Sequence, residues 1–300
     1  MSQTRVLILG ITGMLGHKLF TRMSCIEGMQ VYGTARSMNV SGWLPAQLLD
    51  RVQFGVDADN FETVKKIIRA IKPDWVINCV GIIKQLPVSE DIITTLKINA
   101  LFPHRVASIC QASGARLIHI STDCVFDGAT GNYIEDDMSN ATDLYGRTKY
   151  LGEVYYPHCI TLRTSIIGHE LNSKYGLLEW FISQQSRARG YVKAVFSGFP
   201  TVELERIIRE YVIPNQRLNG LYHVSSNPVS KYELLKKIAA RYGKHIDIDP
   251  CHEFACDRSL NSEKFRQATG YIPPEWPNLI DDMYLDYISG PYTGNFDLGG

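Results

Sequence analysis

The sequence predicts an α/β protein built on a doubly wound parallel sheet, with a smaller C-terminal α/β substrate lobe. Three observations predict it. Short apolar runs alternate with stretches of helical period through the first half of the chain. A glycine-rich turn directly follows the first apolar run. At 300 residues and 45% hydrophobic content the chain supports one large α/β unit or two domains of roughly 150 residues each.

Taken in order, strands are expected at residues 6–9, 30–34, 52–56, 75–80, 116–121 and 160–163, each a short apolar run of strand length. Between them, Phe61–Ile71 sets Val64, Ile67, Ile68 and Ile71 on one helical face, as a crossover packed on a sheet requires. After about Ser165 the pattern changes: helices are expected at 176–189, 202–212 and Lys231–Tyr242, and strands at 193–196, 221–224 and 246–248. The boundary is therefore drawn at 1–165 for a dinucleotide-binding domain and 166–300 for a substrate lobe partly interleaved with it. Residues 290–300 read as a loose tail. Val106, Ile109 and Cys110 either feed a homodimer face or pack against the sheet.

Balanced charge, 31 Lys+Arg against 31 Asp+Glu, gives no sign of a nucleic-acid or membrane-surface binder. No run reaches the roughly 18 apolar residues of a membrane span, and the N-terminus lacks the form of a secretory signal, so a cytoplasmic address is expected. The seven cysteines are odd in number and hold no Cys-x-x-Cys pair. No disulfide framework is expected; nor is a metal, since Cys251, His252 and Cys256 lack a second pair at ligand spacing.

Gly10-Ile11-Thr12-Gly13-Met14-Leu15-Gly16 follows the first strand and opens a helix. Gly10 allows the tight exit, Gly13 admits a pyrophosphate to the backbone, Gly16 lets the helix pack closely, and the N–H groups around Met14 face the anion. This is the fingerprint of a Rossmann-type dinucleotide site. The second strand then ends in Gly33-Thr34-Ala35-Arg36-Ser37, with no acidic side chain for a ribose 2′-hydroxyl. Arg36 and Ser37 suit a 2′-phosphate, hence NADPH over NADH; the other reading is an ordinary exposed arginine. Asp57 either accepts from the adenine amino group or caps the helix that begins near Asn60.

Tyr145 and Lys149 stand four residues apart, on one face of an expected helix. A phenol of pKa about 10 exchanges a proton with an alcohol or alkoxide near neutral pH only if a cation such as an ammonium lowers that value. Lys149 can do this while holding the nicotinamide ribose. Thr122 lies at the carboxyl edge of the fifth strand, where ligands bind in open parallel sheets, in reach of a substrate oxygen.

With these motifs assembled, the sequence resembles the extended short-chain dehydrogenase/reductase superfamily, and within it the dTDP-4-dehydrorhamnose reductase branch of sugar-nucleotide 4-ketoreductases. The resemblance runs nearly full length. It rests on Gly10 to Gly16, Ser121 to Gly128, Tyr145-Gly146-Arg147-Thr148-Lys149 with Gly152-Glu153, Arg163-Thr164-Ser165, Phe199-Pro200-Thr201, Gly220-Leu221-Tyr222-His223 and Arg258-Ser259-Leu260-Asn261. It implies Thr122 and Tyr145 at the carbonyl oxygen, Lys149 on the ribose and the tyrosine, and Val80 and Gly81 bordering the cofactor. Asn99 matches an asparagine near the active site, or is a helix-surface amide. Departures reshape the sugar pocket: Cys124 replaces a usual tyrosine, Ile166 an often-found tryptophan, and Gly81 to Gln85 diverges, with Lys84 and Gln85 in reach of another substituent such as an N-acetyl group. A UDP-linked 2-acetamido-2,6-dideoxy-4-hexulose therefore competes with the dTDP-linked sugar as substrate. Arg258 is the expected diphosphate partner, Lys84 a second, and Arg163 is as readily a structural ion-pair member. Dehydration is disfavoured, because Asp123 is followed by Cys124 where dehydratases carry Asp-Glu. A 4-epimerase, and a non-catalytic subunit similar to the regulatory subunit of methionine adenosyltransferase, are the alternatives.

Overall fold

The computed structural model describes residues 3–171 and 173–290. The tail expected from 290 onward lies, past Gly290, outside the described residues. Strands β1 (Thr4–Leu9), β2 (Met29–Ala35), β3 (Val52–Phe54), β4 (Trp75–Asn78), β5 (Arg116–Thr122) and β6 (Cys159–Thr164) form within a residue or two of the expected runs. Further on come β7 (Ile166–Ile167), β8 (Arg187–Phe196), β9 (Phe199–Pro200), β10 (Gly220–His223), β11 (Val229–Ser230) and β12 (Asp247–Asp257). The helices are α1 (Met14–Met23), α2 (Phe61–Ile71), α3 (Ile92–Thr95), α4 (Phe102–Ser113), α5 (Leu144–Leu151), α6 (Leu177–Ser183), α7 (Thr201–Ile207), α8 (Lys231–Tyr242), α9 (Glu263–Thr269) and α10 (Trp276–Ser289).

Seven strands pair in the order β10-β6-β5-β4-β1-β2-β3, every pair parallel. Parallel strands need covered faces, and alternation within β1 supplies both: Val6 and Ile8 enter one buried cluster, Leu7 and Leu9 the other. Helices α2 and α4 cover the second face, where Val106, Ile109 and Cys110 are buried. Those three residues therefore serve the core and present no dimer face. Strand order reverses between β1 and β4, which opens the crevice where doubly wound sheets bind ligands.

Two expectations change in the C-terminal half. The helix expected over 176–189 stops at Ser183, and 187–189 instead begin β8, where the exposed Arg187 and Arg189 alternate with the buried Ala188 and Gly190. That alternation has a period of two, and it overrides the helical propensity of the run. The strand expected at 246–248 extends through Asp257, pairs with β8 and carries an irregularity between Cys251 and Ala255. Beyond Ile248 its mostly exposed residues carry no strand pattern. Strand β10, from beyond residue 165, completes the main sheet against β6. Among the described residues, no helix is long and apolar enough to cross a membrane.

Candidate active site

The chain leaves β1 through Gly10, whose φ of +85° favours glycine. Its N–H is received by the Thr34 hydroxyl at 3.1 Å, which ties the turn to β2. A side chain at Gly16 would put Cβ 2.2 Å from the Gly10 carbonyl oxygen, so the first turn of α1 can close on the loop only with glycine there. At Gly13 a Cβ would meet nothing nearer than 3.7 Å. The fold itself leaves that space open, as a cradle for an anion requires. No side chain caps α1, and its first turn holds no acidic residue, which leaves the N–H groups of Met14, Leu15 and Gly16 to an anion. These features fit a dinucleotide pyrophosphate. Leu15 itself is buried, so only its backbone can take part, and Thr12 is exposed at the rim. Val80 and Gly81 follow β4 across the crevice, with Val80 close enough that a Cβ on Gly10 would come within 3.0 Å of its side chain. Arg36 and Ser37 are exposed just past β2, while the Asp57 carboxylate accepts from the Asp59 N–H at 3.0 Å in the turn before α2.

Thr122 ends β5 and caps the following turn, its hydroxyl accepting from the Cys124 N–H and donating to the Asp123 carboxylate, both at 3.1 Å. Asp143 caps α5 by accepting from the Gly146 N–H at 3.0 Å, which starts the helix one residue before Tyr145. Two glycines seat this helix: a Cβ at Gly146 would lie 2.3 Å from the Cys124 carbonyl oxygen, and one at Gly152 would lie 2.0 Å from that of Asn99. Tyr145 and Thr122 thereby come together. Burial drives the phenol well above its usual value, Cys124, Asp123 and Asp143 push the same way, and the hydrogen-bonding interaction with Thr122 opposes them. The phenol therefore holds its proton near neutral pH. Lys149 is 6% exposed and donates to the Ile120 carbonyl of β5 at 2.8 Å. Burial brings it down to about 8, against the pull of the Glu153 carboxylate.

At the mouth, Lys84 pairs with Asp143 at 3.1 Å, so its ammonium is engaged with the helix cap rather than free for a sugar. Arg258 donates to the Phe126 carbonyl at 2.7 Å and lies 3.8 Å from the Cys124 sulfur, which brings it to the turn carrying Thr122 and Asp123. Asn99 is buried within a π-helical turn, Leu96–Leu101, and both ends of its amide are used on Ile82, accepting its N–H at 2.8 Å and donating to its carbonyl at 2.9 Å. It shapes the loop after β4 and is not a surface amide. Cys251, His252 and Cys256 lie along β12, and no group of three metal-ligating side chains gathers among the described residues. Sequence reasoning passes over Glu153 as a functional group. Its signal was its position four residues after Lys149, a charge set among Leu151, Gly152 and Val154.

A family model described as "RmlD substrate binding domain" matches residues 4–288. A methionine adenosyltransferase 2 subunit beta from Danio rerio is 27% identical over 78% of this chain and 73% of its own length. A dTDP-4-dehydrorhamnose reductase from Aggregatibacter actinomycetemcomitans is 23% identical over 76% of this chain and 86% of its own. Among solved structures, dTDP-4-dehydrorhamnose reductase from Bacillus anthracis in complex with NADP superposes with a TM-score of 0.76 at 22% identity, covering 95% of this chain and 99% of that one.

Proposed function

This chain belongs to the RmlD substrate binding domain family, and from that premise we propose that it is a cytoplasmic, NADPH-dependent oxidoreductase of the extended short-chain dehydrogenase/reductase kind. Its substrate is a nucleotide-linked 6-deoxy-4-hexulose, dTDP-4-dehydrorhamnose or a UDP-2-acetamido-2,6-dideoxy relative, reduced at C4. The observation that supports the reading is that Thr122, at the carboxyl end of β5, interacts with the Tyr145 phenol, while Lys149, one turn further along α5, is anchored to the Ile120 carbonyl of the same strand, beside the switch point where Gly10 to Gly16 opens α1.

Gly13 and the N–H groups of Met14, Leu15 and Gly16 hold the pyrophosphate, with Arg36 and Ser37 on the 2′-phosphate and Asp57 toward the adenine. When bound, the reduced dinucleotide supplies the hydride. Tyr145 gives its proton to the sugar O4 as negative charge builds there, and the Thr122 hydroxyl orients that oxygen. Lys149 stabilises the tyrosinate that remains and anchors the ribose. Arg258 meets the diphosphate of the sugar nucleotide, and Cys124 borders the sugar in place of a bulkier aromatic. Lys84 reaches the substrate only by leaving Asp143. A homodimer belongs to this reading, because Ile93, Leu96, Leu101 and Leu151 stand exposed around an apolar groove of about 420 Å³, and two-fold pairing buries such a face on both copies. Light scattering at micromolar concentration tests it, and a monomer there removes that part.

The deciding assay follows nicotinamide absorbance with NADPH or NADH and freshly generated 4-keto-6-deoxy sugars linked to dTDP or, as N-acetyl forms, to UDP. Consumption with one sugar establishes the reductase and its substrate; interconversion of the corresponding 4-hydroxy sugar nucleotides at C4, with no net change in nicotinamide absorbance, makes it a 4-epimerase. The relative named as subunit beta of methionine adenosyltransferase supports a second reading, a non-catalytic partner of that enzyme. NADPH binding with no turnover, together with co-purification with the synthetase, would select it.

A further inference from the structure

We propose that Glu153 and Arg163 form a buried positioning unit that fixes Lys149 against Thr122 and ties both to the substrate-side segment carrying Arg258. The proposal rests on the reading of Thr122, Tyr145 and Lys149 given above, and assigns roles to residues that touch neither sugar nor cofactor.

Both side chains are almost fully withdrawn from solvent, Glu153 at 0% and Arg163 at 2% exposure. Withdrawing two charges from water costs free energy, and pairing them recovers it only with good geometry and every remaining valence satisfied. The Glu153 carboxylate meets that condition with four hydrogen bonds. One carboxylate oxygen of Glu153 accepts from Arg163 Nε and from the Ser121 hydroxyl, both at 2.7 Å. The other accepts from Arg163 Nη2 at 2.8 Å and from the Tyr155 hydroxyl at 2.5 Å. A bidentate arginine pair is directional as well as strong. Because apolar residues of similar volume would stabilise a core as well as a buried pair does, its place in the fold indicates its use.

Glu153 lies four residues beyond Lys149, two past the end of α5, and reaches β5 through Ser121, the neighbour of Thr122. Lys149 reaches the same strand through Ile120, on the other side of Ser121. The strand end that presents Thr122 is thus gripped twice by the segment that presents Tyr145 and Lys149. The chain of contacts then runs outward. Arg163 Nη1 meets His223 Nε2 at 3.2 Å, and His223 Nδ1 meets the Tyr133 carbonyl at 2.9 Å. The Tyr133 carbonyl also receives the Asn261 N–H at 2.8 Å, three residues from Arg258. The Arg163 guanidinium sits 5.3 Å over the Phe126 ring, whose carbonyl holds Arg258. Strands β5, β6 and β10, helix α5 and the segment at 258–261 therefore meet at one ion pair.

The charge of Glu153 also reaches Lys149, where it favours the ammonium while burial disfavours it. The other titratable groups near Lys149 are Cys79 after β4, His119 on β5 and Tyr145 one turn earlier on α5; none carries negative charge near neutral pH, since burial pushes the thiol to about 12, keeps the imidazole neutral and drives the phenol up. Glu153 is the anion left to support Lys149.

The test uses Ser121→Ala, Glu153→Gln and Tyr145→Phe in the full chain, with two readouts. One is kcat and KM on whichever 4-keto sugar nucleotide the wild type consumes with NADPH. The other is the titration midpoint of Lys149 in the ligand-free protein, followed by NMR on lysine-labelled chain and assigned by Lys149→Arg. Ser121→Ala, which leaves the ion pair in place, is expected to melt within a few degrees of wild type and to lose about 10-fold in kcat with KM unchanged, since small displacements of reacting groups have effects of that order. Glu153→Gln is expected to lower the Lys149 midpoint. A purely structural pair predicts a lower melting temperature in Glu153→Gln with the midpoint unmoved, and wild-type kcat in Ser121→Ala; that result overturns the proposal. If Glu153→Gln fails to fold, the Ser121→Ala kinetics decide. If the wild type consumes no sugar, or Tyr145→Phe is as active as wild type, the catalytic reading has failed, and the Lys149 midpoint decides for the positioning unit alone.

Discussion

Near neutral pH the Lys149 ammonium sits close to its own titration, brought down to about 8 by burial. Since only the charged form can stabilise a tyrosinate, kcat/KM is expected to fall as pH rises through about 8, toward a ten-fold loss per pH unit. A profile flat to pH 10 would remove Lys149 from that role. Replacing Tyr145 with Phe should cut turnover by about 10²-fold or more and leave NADPH affinity nearly intact, as measured by turnover and by titration of the cofactor. The Cys124 thiol, in the turn capped by Thr122, is pushed up to about 12 by burial and by Asp123. Iodoacetamide at pH 7.5 should therefore label the exposed Cys25 well ahead of Cys124, as mass spectrometry of peptides would report. At this scale the sequence was legible in the spacing, since Tyr145 and Lys149 both fall in α5; the lowering of the phenol expected from Lys149 is not found, because burial raises it instead. The sequence was not legible where the partner is a backbone group or lies far along the chain. Nothing at Asn99 announces Ile82, and nothing at Arg163 announces His223, 60 residues away.

Elements were readable when burial imposed a period, and hidden when it did not. The sheet strands up to β6 are apolar on both faces, so their runs stand out; β12 is largely exposed and polar, and only pairing with β8 makes it a strand. The π-helical turn at Leu96–Leu101 carries no periodic mark either, although α5 depends on it through the Gly152 contact with Asn99. The two glycines at the start of α1 separate folding from binding. Gly16→Ala forces Cβ against the Gly10 carbonyl and should lower the melting temperature. Gly13→Ala meets only ordinary contact, so it should melt like wild type while binding NADPH at least 10-fold more weakly, because the methyl group occupies the place of the pyrophosphate. Equal NADPH affinity in Gly13→Ala, measured by calorimetry, would refute the cradle.

Across the whole molecule, three buried histidines couple the fold to pH. Each titrates near 6.5 when unfolded. In the fold, burial holds His17 down to about 4, His223 to about 3, and His119 well below its usual range. Between those values and 6.5 the unfolded chain binds more protons, so their contribution is complete above about pH 6.5 and is lost as the pH falls toward 3. Melting temperature should accordingly drop steadily from pH 6.5 to pH 4, and His223→Gln should shallow that slope; an unchanged slope in the variant would exclude His223 from it. A change of pattern near residue 165 is visible in the sequence, but the return of β10 to the main sheet is not, because strand partners are chosen by tertiary packing. That return bears on how the protein is made. Until residue 223 leaves the ribosome, the Cys159–Thr164 strand has an open edge of unpaired backbone N–H and C=O groups; at roughly 5–20 residues per second this lasts roughly 3–12 s after residue 165 has appeared. For that interval the nascent chain carries a template for pairing with its neighbours. Expression at a slower elongation rate, or truncation after residue 165, should therefore give insoluble protein rather than a folded nucleotide-binding half.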